Sequence, residues 1–326
     1  MVAIVGIDIA KDKFDVCLLD EATQAHQETF ANTKSGINKL HRWLKKRDAK
    51  TAHVCLEATG IYGDLVAETL HGRGYTVSVV NPARIKAYGA SQMQRNKTDT
   101  LDAAIIADYC RTQQPPAWEP PPPELKELRA LVRHMDDLKQ EKQRARNRLD
   151  AQNASQAVAR QLRAQIGLLD KQIAQTRQLI RDHINRHPDL KQQTELLKSI
   201  PGIGDTTACY LVAELGNMQR FDNVREVVAF IGLNPRQHQS GKKRTTRGIS
   251  RMGRASLRAA LYMPAITAKR CNPRLEVWAE QLTQRGLSGK QVIVAVMRKL
   301  VHLAYGILKS GRAFDPNYVH QIAVAA

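Results

Sequence analysis

Asp8, Glu57, Asp99 and Asp102 are the acidic residues of this chain best placed to do chemistry together. Asp8 ends the apolar run Gly6-Ile7-Asp8-Ile9, and Glu57 ends a second one in Cys55-Leu56-Glu57-Ala58-Thr59-Gly60. Asp99 and Asp102 stand three apart at the start of a helical pattern, so both project from one helix face. Strand ends and a helix packed across a sheet can gather all four. Carboxylates gathered in this way repel one another unless a divalent cation neutralises them. Oxygen donors suit Mg²⁺ or Mn²⁺, and such ions stabilise the attacking and leaving oxygens of phosphoryl transfer. A plainer reading is open: a chain with 31 acids places some suggestively by chance, and Asp99 and Asp102 would also complement a helix dipole. Asp12, Asp15 and Asp20 read as surface or turn residues.

The complementary chemistry lies far along the chain. From Val227 to Leu275 there is no acidic residue, while Arg236, Lys242, Lys243, Arg244, Arg247, Arg251, Arg254, Arg258, Lys269, Arg270 and Arg274 all fall there. Cations packed this way repel one another in the free protein, so the segment needs a polyanion. Within it, Gln239-Ser240-Gly241-Lys242 sets a hydroxyl in a small-residue turn among phosphate-binding groups. Gly241 permits close backbone approach, and Lys242, Lys243, Arg244 and Arg247 can neutralise charge on phosphoryl oxygens. Taken alone, a Ser-Gly in a basic loop is most often a turn that contacts phosphate. Ser250 looks like a helix cap and Ser256 lies inside the helix that follows. His238, a carboxylate or metal-held water could accept the Ser240 proton.

Bulk composition agrees with a nucleic-acid partner. The 326 residues carry 50 Lys and Arg against 31 Asp and Glu, a net charge of +19. Residues 1–110 hold 14 basic and 13 acidic side chains, which leaves 36 against 18 for the remainder. A near-neutral first domain and a strongly basic remainder point to nucleic acid handled mainly by the C-terminal two thirds. No amphipathic basic anchor, lipidation motif or uncharged span of membrane length argues for a membrane. Five cysteines without C-x-x-C pairing read as small buried hydrophobes in a reducing compartment. The N-terminus lacks a basic leader, so a soluble, cytoplasmic protein is expected.

The positioning elements follow from periodicity. Residues 2–9, 14–20 and roughly 26–32 read as short strands, then a helix carries Ile37, Leu40, Trp43 and Leu44. Strand 52–56, helix 63–71, strand 75–80, a polar loop after Asn81-Pro82, and a helix capped by Thr98 and running to about 111 complete a mixed sheet with helices. Gln113–Pro123 is a stiff proline-rich linker and the clearest boundary. Beyond it, two amphipathic helices parted near 152–155 predict an antiparallel or intermolecular coiled coil. From about Thr194 the pattern is helical with short loops. There Ile200-Pro201-Gly202-Ile203-Gly204 resembles a helix-hairpin-helix turn, in which Gly202 and Gly204 would offer backbone N–H groups to a phosphate. An ordinary Pro-Gly turn is the alternative. The expected fold class is α/β plus all-α, divided as 1–112, 113–190 and 191–326.

Asp8 on the first strand, Glu57 after a later one and Asp99-x-x-Asp102 on the last helix resemble a RuvC-type, ribonuclease-H-like nuclease domain. Lys97-Thr98-Asp99-Thr100-Leu101-Asp102-Ala103, the proline linker, the coiled helices, Ile200-Pro201-Gly202-Ile203-Gly204 and Gly232-Leu233-Asn234-Pro235…Gln239-Ser240-Gly241 together resemble the DEDD-type insertion-sequence transposases. These are relatives of the Piv DNA invertase, described as bridge-RNA-guided recombinases. The resemblance covers essentially the whole chain. It implies that Ser240 is the nucleophile of a covalent phosphoserine link to DNA, assisted by Mg²⁺ or Mn²⁺ on Asp8, Glu57, Asp99 and Asp102. It further implies double-stranded donor and target DNA, a structured non-coding guide RNA, and a homo-oligomer whose active sites are shared between subunits. Arg251, Arg254 and Arg258 complete the expected nucleic-acid contacts. A RuvC-like metal-dependent junction endonuclease and a non-catalytic nucleic-acid scaffold are the alternatives. An actin-like ATPase fails, because that fold needs two similar halves where 113–190 is coiled helix.

Overall fold

A computed structural model describes the chain apart from Met1, Glu21, Thr59, residues 93–98, 152–154, Asn217, residues 241–242 and 318–326. The chain divides into two compact units, Met1–Pro120 and Pro121–Ala326.

The first unit is built on five strands: β1 (Ile4–Ile9), β2 (Lys13–Leu19), β3 (Ala25–Ala31), β4 (His53–Glu57) and β5 (Thr76–Val80). Their spatial order is β3-β2-β1-β4-β5, with β1, β2 and β3 antiparallel and β4 and β5 parallel to β1. The strands alternate faces. Val5, Ile7, Phe14, Val16, Leu18, Val54, Leu56 and Val77 turn to one side, where they pack with residues of α1 (Lys34–Lys45) and α2 (Ile61–His71). The opposite face receives α4 (Asp99–Gln113), which packs on β1, β2 and β4. Between β5 and α4 lies α3 (Pro82–Ser91). This stretch was expected as a polar loop. It is helical because Asn81 caps the Ala83 N–H at 2.9 Å and Pro82 fills the first helical position, where no N–H is needed. Thr98, expected to cap α4, lies outside the described residues.

The proline-rich segment is anchored on this unit. The Trp118 N–H donates to the Val77 carbonyl at 2.6 Å, and the Ser78 hydroxyl lies 3.0 and 2.8 Å from the Pro115 and Pro116 carbonyl oxygens. Trp118 also meets His71 edge-on. Proline cannot donate to a ladder, so the strap attaches to β5 through its carbonyls and one free N–H.

The second unit opens with α5 (Pro123–Asp150) and α6 (Gln156–Arg186), an antiparallel hairpin. Its sense follows from the pairs His183 with the Glu124 carbonyl, Lys142 with Asp170, and Leu138 with Leu169 and Ile173. Then come α7 (Pro188–Lys198), α8 (Asp205–Leu215), a short 3₁₀ turn Met218–Arg220, α9 (Val224–Ile231), β6 (Pro235–Ser240), β7 (Lys243–Ile249), α10 (Ala255–Cys271), α11 (Pro273–Gln284) and α12 (Gly289–Ser310). The β6–β7 hairpin departs from the helical expectation for this region. Its residues Arg236 to Thr246 lack the 3–4 apolar spacing a helix buries, so the backbone pairs with itself instead. Leu128, Val132, Ile184, Leu197, Leu211, Val227, Leu261 and Leu300 belong to one core, so the near ends of α5 and α6 fold with the later helices. Among the described residues α12 alone is long and apolar enough to cross a membrane, and its Val292, Val296, Leu300 and Val301 are buried in that core.

Candidate active site

Register places Asp15, Asp8 and Glu57 of the sheet in one row. Asp8 pairs with Asp15 across β1 and β2, and Asp15 pairs with Thr29 across β2 and β3. On the other side Ile7 pairs with Leu56, so Asp8 and Glu57 come next on their two parallel strands. Cross-strand neighbours share a face, and this face is the one α4 covers, because Gly6 and Cys17 on it touch Ala103 and Ala107.

The direction of α4 brings its own acids to the same end. Ala103 and Ala107 lie over Gly6, while Cys110 reaches Cys55 and His53 further back along β4. The helix therefore runs against β1 and β4, with its first turn over their carboxyl ends. Asp102 precedes Ile106 by four residues, so it stands on the face that buries Ala103, Ile106 and Cys110. Asp8, Glu57 and Asp102 are half-buried; Asp99 is placed by its backbone at the start of α4. The Cys55 thiol donates to Cys110, which holds Cys110 below the ordinary thiol range and ties α4 to β4.

As oxygen donors, Asp8, Glu57, Asp99 and Asp102 suit a hard divalent cation in type. Among the described side chains no three His, Cys, Asp or Glu residues close around a single point.

Asp15 corrects the expectation of a surface or turn residue. It is 6% exposed, accepts from the Thr29 hydroxyl at 2.5 Å and pairs with Lys13 at 3.1 Å. The signal was available: a hairpin that turns at 10–13 must set residue 15 opposite residue 8. Asp20 is a turn residue, as read, and its carboxylate accepts from the Ala22 and Gln24 N–H groups.

Ser240 ends β6 in register with Lys243, the first residue of β7. Arg244 and Arg247 continue β7, and Gly241 and Lys242 lie outside the described residues. Ser250 is not a helix cap. Its hydroxyl donates to Asn234 at 2.6 Å and its N–H to the Asn234 carbonyl, tying the two ends of the hairpin, while Arg254 occupies the N-cap of α10. Ser256 sits in the first turn of α10. Arg251 and Arg254 are exposed, whereas Arg258 donates to the Ile231 carbonyl at 2.7 Å. Gly202 has φ +102° and is pressed against Ala268, where a Cβ would come within 2.6 Å of the alanine methyl, so close packing accounts for it. Gly204 is the open N-cap of α8.

An α/β unit with acids at the carboxyl ends of its parallel strands, followed by a basic helical unit, is the layout expected of a DEDD-type transposase. Residues 5–152 match a DEDD family model described as "Transposase", and residues 194–278 match one described as "Transposase IS116/IS110/IS902 family". The chain is 34% identical over 322 residues to the pilin gene-inverting protein of Moraxella bovis, covering 95% of this chain and 97% of that protein. The transposase for insertion sequence element IS1111A of Coxiella burnetii is 25% identical, with 94% and 90% covered. RuvC of T. thermophilus, solved with a Holliday junction substrate, aligns with 36% of this chain and 100% of its own at 14% identity and a TM-score of 0.28; the family assignment stands without it. The chain belongs to the IS110 family of transposases.

Proposed function

We propose that this chain is an insertion-sequence recombinase that cuts and rejoins double-stranded DNA through a covalent phosphoserine at Ser240. What supports the reading is that β1, β4 and the start of α4, which carry Asp8, Glu57, Asp99 and Asp102, run to one end of the first unit within the segment that matches the DEDD family. The Ser240 oxygen attacks a backbone phosphorus, a serine–phosphate ester forms, and the bond to the leaving strand oxygen breaks. That oxygen departs with a proton as a hydroxyl. Attack by another strand's hydroxyl reverses these events, so ester energy is kept and no ATP is needed. Mg²⁺ or Mn²⁺ held by the four carboxylates would stabilise charge on the attacking and leaving oxygens. Lys242, Lys243, Arg244 and Arg247 neutralise the phosphate, and Arg251, Arg254 and Arg258 grip the flanking backbone.

Selection of donor and target by a structured non-coding RNA belongs to this reading. Aromatic residues make up 5% of the chain, which leaves few platforms for reading bases directly and suits a protein that grips backbone. So does a homo-oligomer, joined through coiled helices, in which Ser240 of one subunit serves the carboxylates of another, and a cytoplasmic location. A denaturing gel tests the chemistry: the wild type should leave a protein–DNA adduct that Ser240→Ala abolishes while DNA binding persists. Free cleaved ends with no adduct would make the protein a water-using nuclease.

A further inference from the structure

Two guanidinium groups of the second unit face one buried carboxylate, and a third holds the backbone carbonyl of the same residue. Glu214, in the last turn of α8, is 4% exposed. Its Oε1 accepts from Nε of Arg133 at 3.2 Å, and its Oε2 lies 3.7 Å from Nε of Arg254 without a hydrogen-bond partner. Arg220 donates to the backbone carbonyl of Glu214 at 3.3 Å and leaves the carboxylate to the others. Its guanidinium stacks 4.6 Å from the ring centre of Phe221 and 4.9 Å from that of Phe230, and Arg254 lies 5.7 Å over Phe230. Arg129, one turn before Arg133 on α5, donates to the Ala213 carbonyl at 3.0 Å. Desolvation by the surrounding groups, and after it the nearby Arg129 and Arg254, lower the Arg220 pKa to about 10.

A structural role explains part of this. Arginines near the end of α8 satisfy its last carbonyls and balance Glu214. It does not explain the surplus, nor why Arg133 and Arg254 keep 45% and 47% of their side chains exposed. Crowded, exposed guanidinium groups gain from a polyanion, and their forked N–H groups match phosphate oxygens two at a time. Stacking on phenylalanine and anchoring to carbonyls remove rotamer freedom before a ligand arrives.

We infer that Arg133, Arg220 and Arg254 form a binding site for the phosphate backbone of double-stranded DNA, with Glu214 fixing their geometry and limiting their net charge. This rests on reading the chain as a DNA-processing enzyme. Arg133 and Arg220 lie outside the acid-free stretch, so the site extends DNA contact onto α5 and the turn before α9. A duplex backbone is favoured over unstacked single-stranded RNA because the two rings present are already covered by guanidinium groups, leaving no face for a base.

The test measures fluorescence anisotropy of a labelled DNA duplex with the full-length protein, without added metal, from about 50 to 200 mM salt. Arg133→Gln and Arg220→Gln should each lower the slope of log affinity against log salt by about one and weaken binding several-fold. Arg220→Lys keeps the charge and should keep the slope. Glu214→Gln, which releases two guanidinium groups from their counter-charge, should tighten binding. Unchanged DNA curves with a lowered unfolding midpoint would reduce the cluster to a structural one and overturn the site. Loss of binding to a duplex or hairpin RNA with DNA binding intact would overturn it equally. Failure of the recombinase reading looks different: no adduct at Ser240 in the wild type, with the salt slopes unaffected.

Discussion

Gly6 lies against α4 with no room for a side chain: a Cβ there would sit 2.2 Å from the Ala103 carbonyl oxygen and 2.3 Å from the Ala107 nitrogen. Backbone meets backbone at this point, so the contact sets how far the first turn of α4 reaches toward Asp8, two residues along β1. Gly6→Ala should destabilise the first unit by about 1–3 kcal/mol through overpacking. It should also lower strand exchange at temperatures where the variant remains folded. Urea unfolding beside activity separates the two effects; lost stability with full activity would show that the contact packs the unit without positioning its acids.

Removing one charge from the acidic row should stop the chemistry and spare the binding. Asp8→Asn, Glu57→Gln, Asp99→Asn and Asp102→Asn should each reduce turnover on the order of 10²-fold or more. DNA affinity should stay within a few-fold, because the net charge of the chain rises by only one. Mn²⁺ binding followed by electron paramagnetic resonance provides a readout that does not depend on turnover.

Ser240, at the end of β6, and Ser250, just after β7, should behave oppositely. Ser240→Ala should leave no covalent adduct. Ser250→Ala should keep the adduct and lower stability by about 0.5–1.5 kcal/mol, since it gives up the hydrogen bond to Asn234. Adduct mass from peptide mapping identifies the attached residue.

Asp15 holds Thr29 and Lys13 from a nearly dry position. Asp15→Ala should cost on the order of 1–3 kcal/mol, because partners on β2 and β3 lose their acceptor. Chemical denaturation of the full chain measures it; a change below half a kilocalorie would show that water replaces the carboxylate at no cost.

His302, within α12, is kept neutral by burial and by the neighbouring Arg298 and Lys299, which lower its pKa below 6.5. The unfolded chain takes up that proton first as pH falls, so stability is intact above about pH 6.5 and declines below it. Thermal midpoints from pH 7.5 to 5.5 should drop more steeply for the wild type than for His302→Leu.

Much of the first unit was legible from residue order. Apolar runs with β-branched residues announced β1, β4 and β5, and the spacing of Ile37, Leu40 and Leu44 announced α1. Helix α3 escaped because only Ile85 of its residues is buried, which leaves almost no periodic apolar signal to read. Asp15 was misjudged because its face is set by the hairpin turn at 10–13, which pairs it with Asp8, and not by its own charge. The β6–β7 hairpin was missed because its strands are polar up to Ile249 and lack alternation.

Sequence alone determined the chemistry on offer: oxygen donors at strand ends, a hydroxyl within a cationic run, and a charge imbalance that demands a polyanion. These follow from composition and local spacing, which need no knowledge of distant contacts. Tertiary structure decided which of those groups are neighbours. Strand order set Asp15, Asp8 and Glu57 in one row, and the close approach of Gly6 to Ala103 and Ala107 directed the start of α4 to the same end. Packing likewise drew Arg133, Arg220 and Arg254 from three separate segments around Glu214. Such meetings depend on how faces bury against one another, and the burial of a face is a property of the folded whole.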